Sequence, residues 1–124
     1  MPKYTSIMNL KTTNSKSNSS IFSTDNAIVM GILNITNDSF YDGSRYLDQK
    51  QIVLKCQTML DEGAAIIDIG AQSTRPGATQ IASKEELKKL LPTIKLLKNT
   101  FKNITISIDT FWANTATECI QAGA

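Results

Sequence analysis

Residues 27–40 read Ala-Ile-Val-Met-Gly-Ile-Leu-Asn-Ile-Thr-Asn-Asp-Ser-Phe, an unbroken apolar run of strand length that turns polar at Asn34. A continuous run of this kind is the signature of a strand covered on both faces, so residues 27–33 are expected as a buried parallel strand. The same handover from apolar to polar recurs from Asp68 to Gly77 and again at Asp109-Thr110. Three strands that each end in polar side chains build one site from several strand ends. That is the logic of a parallel β/α enzyme whose chemistry lies at the carboxyl edge of its sheet.

Outward from that first strand, helices and strands alternate. Asp48 offers a helix N-cap, and Ile52, Val53, Cys56, Met59 and Leu60 recur at helical spacing until Gly63 stops the helix. A second strand is expected over residues 64–69, followed by a polar loop containing Pro76 and Gly77. Ser83-Lys84-Glu85-Glu86 then reads as a capping box. Leu87, Leu90, Leu91, Ile94 and Leu97 give the second helix its buried stripe, with Pro92 as an expected kink or break. Lys84, Lys88, Lys89, Lys95 and Lys98 suit a solvated outer face better than a phosphate site. Residues 104–108 make a third strand, and residues 112–122 a third helix ended by Gly123. Strand-helix units repeating in this way imply parallel pairing through right-handed crossovers.

Three such units do not complete a barrel. In a (β/α)₈ barrel the helices cover only the outer face, and the inner face packs against opposite strands. Three strands alone would leave inward residues without facing partners and two edges unpaired. The expected architecture is therefore α/β, the amino-terminal three units of a (β/α)₈ TIM barrel within a longer protein. A flavodoxin-like sheet is the competing architecture.

Composition narrows the function classes. The 124 residues are 41% hydrophobic, enough for a core, and the net charge of +2 gives no nucleic-acid footprint. No run of about eighteen apolar residues exists to span a membrane, and the first ten residues lack the apolar centre of a signal peptide. Cys56 and Cys119 are isolated, without metal-type spacing, and read as reduced core or near-core thiols of a cytosolic, hence cytoplasmic, protein. Residues 1–26 include Asn14-Ser15-Lys16-Ser17-Asn18-Ser19-Ser20, which buries little apolar surface, and suggest a flexible arm or short hairpin before the domain at 27–124.

Three segments carry a family resemblance: Gly31-Ile-Leu-Asn34-Ile-Thr-Asn37-Asp-Ser-Phe40-Tyr-Asp42-Gly43, Asp68-Ile-Gly70-Ala-Gln-Ser73-Thr74-Arg75-Pro76-Gly77, and Ile106-Ser-Ile-Asp109-Thr110. In order, spacing and position at strand ends they resemble dihydropteroate synthase, from about Ile28 to Ala124. The resemblance implies a TIM-barrel transferase of folate biosynthesis that joins 4-aminobenzoate to 6-hydroxymethyl-7,8-dihydropterin diphosphate, releasing pyrophosphate. It also implies a sulfonamide target, homodimers formed through later helices, and Mg²⁺ as the metal.

Residue by residue, the resemblance makes Asn34 the metal ligand, a neutral oxygen suited to Mg²⁺. On its own chemistry Asn34 would more often cap the first loop. Asp109 matches the aspartate that receives the pterin's amino and ring N–H groups; without the family, capping the helix near Trp112 is an equal reading. Thr74 matches a pterin-diphosphate contact. Arg75 would meet phosphate oxygens or a neighbouring carboxylate, an exposed loop arginine being the ordinary alternative. Asp68 matches an aspartate beneath the pterin. Phe40, Asp42 and Gly43 match a lid that forms the 4-aminobenzoate pocket with Pro76, Asp42 stabilising a cationic pterin.

The chain departs from the family where Asn37 replaces a usual proline, Ser44 a second glycine, and Ala71-Gln72 a usual Gly-Glu. Asn37 restores backbone freedom that proline would remove, which bears on loop closure. The family's later asparagine, aspartate, lysine and Arg-x-His motif have no counterpart in these 124 residues, so this stretch alone is expected not to turn over. Two other classes compete: a pterin-binding methyltransferase serving a corrinoid protein, which should lack the Ser73-Thr74-Arg75-Pro76-Gly77 loop, and a truncated non-catalytic domain.

Overall fold

The computed structural model describes residues 27–36, 45–73 and 76–124. The polar arm expected over residues 1–26 lies outside them. In chain order the elements are β1 (Met30–Asn34), α1 (Arg45–Asp61), β2 (Ile66–Gly70), α2 (Ser83–Thr100), β3 (Ile106–Asp109) and α3 (Ala113–Gln121). The strands form one sheet in the order β1-β2-β3, both pairs parallel. These are three successive β/α units, as the alternating pattern implies.

One face of the sheet carries the core. Leu33 and Ile35, Ile67, Ile69 and Ala71, and Ile106 alternate onto that face and pack with Ile52 and Cys56 of α1, Leu90, Ile94 and Leu97 of α2, and Cys119 of α3. Gly31 permits the close approach of α1, because a Cβ there would stand 2.7 Å from the Met59 sulfur. The opposite face is open among the described residues: Met30 is 48% and Ile32 66% exposed. The apolar run in β1 therefore has one covered face here, and both sheet edges lack a further strand among the described residues.

Several boundaries differ from the sequence-based expectations. Each strand begins about two residues later than its apolar run, because the parallel ladder starts with Ala65 N–H on the Val29 carbonyl and Ile67 N–H on the Thr105 carbonyl. The polar residues Asn34 and Asp109 thus belong to the strands themselves. Helix α1 starts at Arg45, so Asp48 lies within it and is not its N-cap. The capping box does not form. Ala82 is the N-cap, in extended geometry and without a side-chain bond, and Ser83 instead bonds Thr115 at 2.8 Å. Pro92 is accommodated without ending α2. Gly63 and Gly123 end α1 and α3 as expected, at φ of 102° and 112°. In each case the following residue's N–H reaches back, Ala64 to Met59 and Ala124 to Cys119.

Candidate active site at the carboxyl edge of the sheet

Parallel register sets the last row of the sheet. Asn34 pairs with Gly70, and Gly70 with Asp109, so three residues spread over 76 positions of chain stand side by side. Because side chains alternate along a strand, all three belong to the open face. Gly70 is buried and contributes no side chain. A Cβ placed on it would lie 3.7 Å from Asn34 Oδ1 and 3.9 Å from Asp109 Oδ2. The amide oxygen and the carboxylate oxygen therefore converge on the space that the glycine leaves free.

One row below, on the same face, Asp68 pairs with Ile32 and Ser107 and is half-buried. Its position is two residues before Gly70 on β2, one row from Asn34 and Asp109 on the open face. Pro76 is exposed in the turn of the second loop, followed by Gly77 at φ 83°. Phe40, Asp42, Thr74 and Arg75 lie outside the described residues, as do Asn37, Gly43 and Ser44.

The competing helix-cap role for Asp109 is not what the structure shows. Helix α3 has Trp112 as its N-cap with no side-chain cap bond, and the Trp112 N–H is met by Thr110 Oγ1 at 3.1 Å. Asp109 is exposed, its carboxylate left available for a ligand among the described residues. Asn34 likewise makes no side-chain hydrogen bond to another described residue.

Behind the rim lies a polar cluster that sequence reasoning missed. Glu86 is fully buried on α2, and its Oε2 accepts the Thr110 hydroxyl at 2.6 Å. Its Oε1 has no partner among the described residues. A buried acceptor without a partner costs about 1–3 kcal/mol, so the surrounding packing must over-determine this placement. The signal was present in the helical period: Glu86 precedes Leu90, Ile94 and Leu97 on the same buried stripe, where an exposed cap partner would not fall. Next to it, the Trp112 indole donates to the Ile81 carbonyl at 3.1 Å, and Ile81 N–H donates to Gln72 Oε1 at 3.2 Å. Asn114 and Thr115 meet Ser83 at 2.6 and 2.8 Å, joining the amino-terminal ends of α2 and α3.

Both cysteines are buried free thiols. Burial pushes each up to about 11, and Glu86 and Glu118 add to the effect at Cys119. They are protonated core residues at neutral pH, as their isolated positions suggest. No three His, Cys, Asp or Glu side chains gather into a metal cluster among the described residues. The donors at the rim are instead hard oxygens, an amide and a carboxylate. Of these the Asn34 amide oxygen is of the neutral hard type that a cation such as Mg²⁺ accepts, which takes few protein ligands and shares substrate phosphates.

The Pterin binding enzyme family matches residues 30–124. The dihydropteroate synthase of Bacillus subtilis is 43% identical over 100 residues, covering 81% of this chain and 35% of the relative. Among solved structures, a dihydropteroate synthase from Clostridium difficile in the presence of pteroic acid superposes with a TM-score of 0.73 at 43% identity, over 81% of this chain and 38% of that one. The Xanthomonas albilineans enzyme with 4-aminobenzoic acid gives 0.72 at 38% identity, over 83% and 38%. The chain thus spans a little over a third of the length of these relatives, and its three β/α units cover part of their TIM-barrel fold. The match over nearly all of the described sheet and helices settles the kinship: this chain belongs to the pterin binding enzyme family.

Proposed function

We propose that the full-length protein is a dihydropteroate synthase, a transferase that condenses 4-aminobenzoate with 6-hydroxymethyl-7,8-dihydropterin diphosphate. The observation that carries this is the row Asn34-Gly70-Asp109, in which an amide oxygen and a carboxylate oxygen face one space kept open by a glycine. The relatives bound to pteroic acid and to 4-aminobenzoic acid support the same substrates.

In this reading Asp109 accepts the pterin's N–H groups through charge-assisted hydrogen bonds, fixing the ring. Asp68 supports the ring from the row below. Asn34 Oδ1 would hold Mg²⁺, which supplies neutralisation of the departing diphosphate. Thr74 and Arg75 of the second loop meet the diphosphate, while Phe40 and Pro76 border the arylamine. The amine nitrogen forms a bond to the pterin methylene carbon as the carbon–oxygen bond to diphosphate breaks, and the amine loses a proton. Asp42 offsets positive charge developing on the pterin. The protein pairs as a homodimer and works in the cytoplasm, a compartment in which both cysteines would remain free thiols. The chain's Ser73-Thr74-Arg75-Pro76-Gly77 loop favours this reading over a pterin-binding methyltransferase.

Pyrophosphate release by the full-length protein with both substrates tests the assignment. Release that requires 4-aminobenzoate is expected. Absence of release with both substrates and Mg²⁺ present would favour the truncated, non-catalytic alternative.

A further inference from the structure

Two rim loops share a hydrogen-bonded spine. Gln72 Oε1 accepts the Ile81 N–H, which ties the residues on the two sides of the second loop to each other. The Ile81 carbonyl accepts the Trp112 indole N–H, the Trp112 backbone N–H donates to Thr110 Oγ1, and the Thr110 hydroxyl donates to buried Glu86. Trp112 is the bridge: its ring holds the second loop, and its backbone holds the turn directly after Asp109. The Thr110 hydroxyl accepts from Trp112 and donates to Glu86, so those two bonds polarise one another; the rest of the series is joined mechanically.

We propose that Trp112, anchored through Thr110 by Glu86, is a positioning residue that sets the second loop relative to Asp109. Pro76 of the second loop and the carboxylate on β3 then take up their places as one unit. This rests on the synthase reading for its kinetic consequence, although the latch itself does not depend on it. Glu86 supplies the fixed end because it is fully buried on α2 and joins the loops to the core. Trp112 is half-buried, so its ring can be altered without opening the core.

The test uses the full-length protein and three variants: Trp112→Phe, Thr110→Val and Thr110→Ser. Trp112→Phe keeps a ring and removes the indole donor; it should raise the KM for 4-aminobenzoate about tenfold, the scale of one lost hydrogen bond, with kcat changed far less. Thr110→Val removes hydrogen bonds to Glu86 and Trp112 and none to the second loop, yet should raise the same KM and speed solvent exchange of the Trp112 indole proton followed by NMR. Thr110→Ser restores the hydroxyl and should return both readouts toward wild type. Wild-type exchange and wild-type KM for 4-aminobenzoate in Thr110→Val would overturn the latch. If Thr110→Val does not fold, an unchanged KM for 4-aminobenzoate in Trp112→Phe overturns it instead. A wild-type protein without synthase turnover would defeat the functional reading, and the exchange measurement would still decide the latch.

Discussion

The two faces of the one sheet differ more than any two elements of the molecule. On the helix side, Leu33 is 3% exposed and Ile67 and Ile69 are 0%, sealed by α1 and α2. On the other side, the same strands present exposed Ile32, half-buried Asp68 and exposed Asn34 and Asp109 around a missing side chain at Gly70. Alternation along a strand lets neighbouring residues serve opposite ends: Ile69 holds the sheet to its helices, and Gly70 leaves open space beside Asn34 and Asp109. In the proposed function stability and recognition are separated by one residue of register, and substitutions on the two faces should fail in different ways.

The largest effect is expected on the sealed face. Ile67→Ala removes buried methyl groups and leaves a cavity, and should cost about 2–5 kcal/mol in chemical denaturation of the full-length protein. Pterin affinity of the fraction that remains folded should be unchanged. On the open face the result should invert: Asp109→Asn is expected to weaken pterin binding up to about a hundredfold by calorimetry, as hydrogen bonds to a charged group are lost. Its melting temperature should stay close to wild type, because the Asp109 side chain makes no hydrogen bond to another described residue and the substitution leaves the backbone pairing with Gly70 in place.

Gly70→Val sharpens the contrast further. A Cβ at Gly70 would meet Asn34 and Asp109 at ordinary contact distances of 3.7–3.9 Å, so the fold should tolerate it. The larger side chain would fill the space between the two oxygens, and a loss of pterin affinity of about tenfold or more is expected, on the scale of a displaced contact. Retained affinity would show that the space is not where the ligand lies.

The smallest effect concerns pH. Cys56 and Cys119 are held protonated by burial up to about 11, above the 9.0 of an exposed thiol. Below 9 both the folded and unfolded chains carry these protons, so stability does not depend on them. Between 9 and 11 the unfolded chain releases protons that the folded chain keeps, so stability should fall as pH rises through that window. Thermal melts of Cys56→Ala should show a shallower decline there than wild type. Rapid alkylation of both thiols in native protein at pH 8 would contradict the sealed face.

Much of this division was legible in the residues. The stripe Leu90, Ile94 and Leu97 and the stops at Gly63 and Gly123 follow from helical period and left-handed backbone, which are local properties. The three strand ends were legible because apolar runs give way to polar side chains at the same point in each unit. What escaped was non-local. Strand limits depend on where the neighbouring strand begins its ladder, so each strand starts later than its apolar run. Glu86 reads in sequence as a cap partner of Ser83, because three-residue spacing is a local signal. Its actual partner, Thr110, is 24 residues away. Trp112 similarly reads in sequence only as the start of a helix, since its bond to Ile81 spans 31 residues.

The central claim is that Asn34 and Asp109 grip one ligand across Gly70. A crystal structure of the full-length protein with 6-hydroxymethylpterin diphosphate tests it most directly. The account predicts the pterin's N–H groups on the Asp109 carboxylate and the diphosphate on the side of Asn34, with the ligand over Gly70. A pterin bound away from that row, with neither side chain in contact, would contradict it.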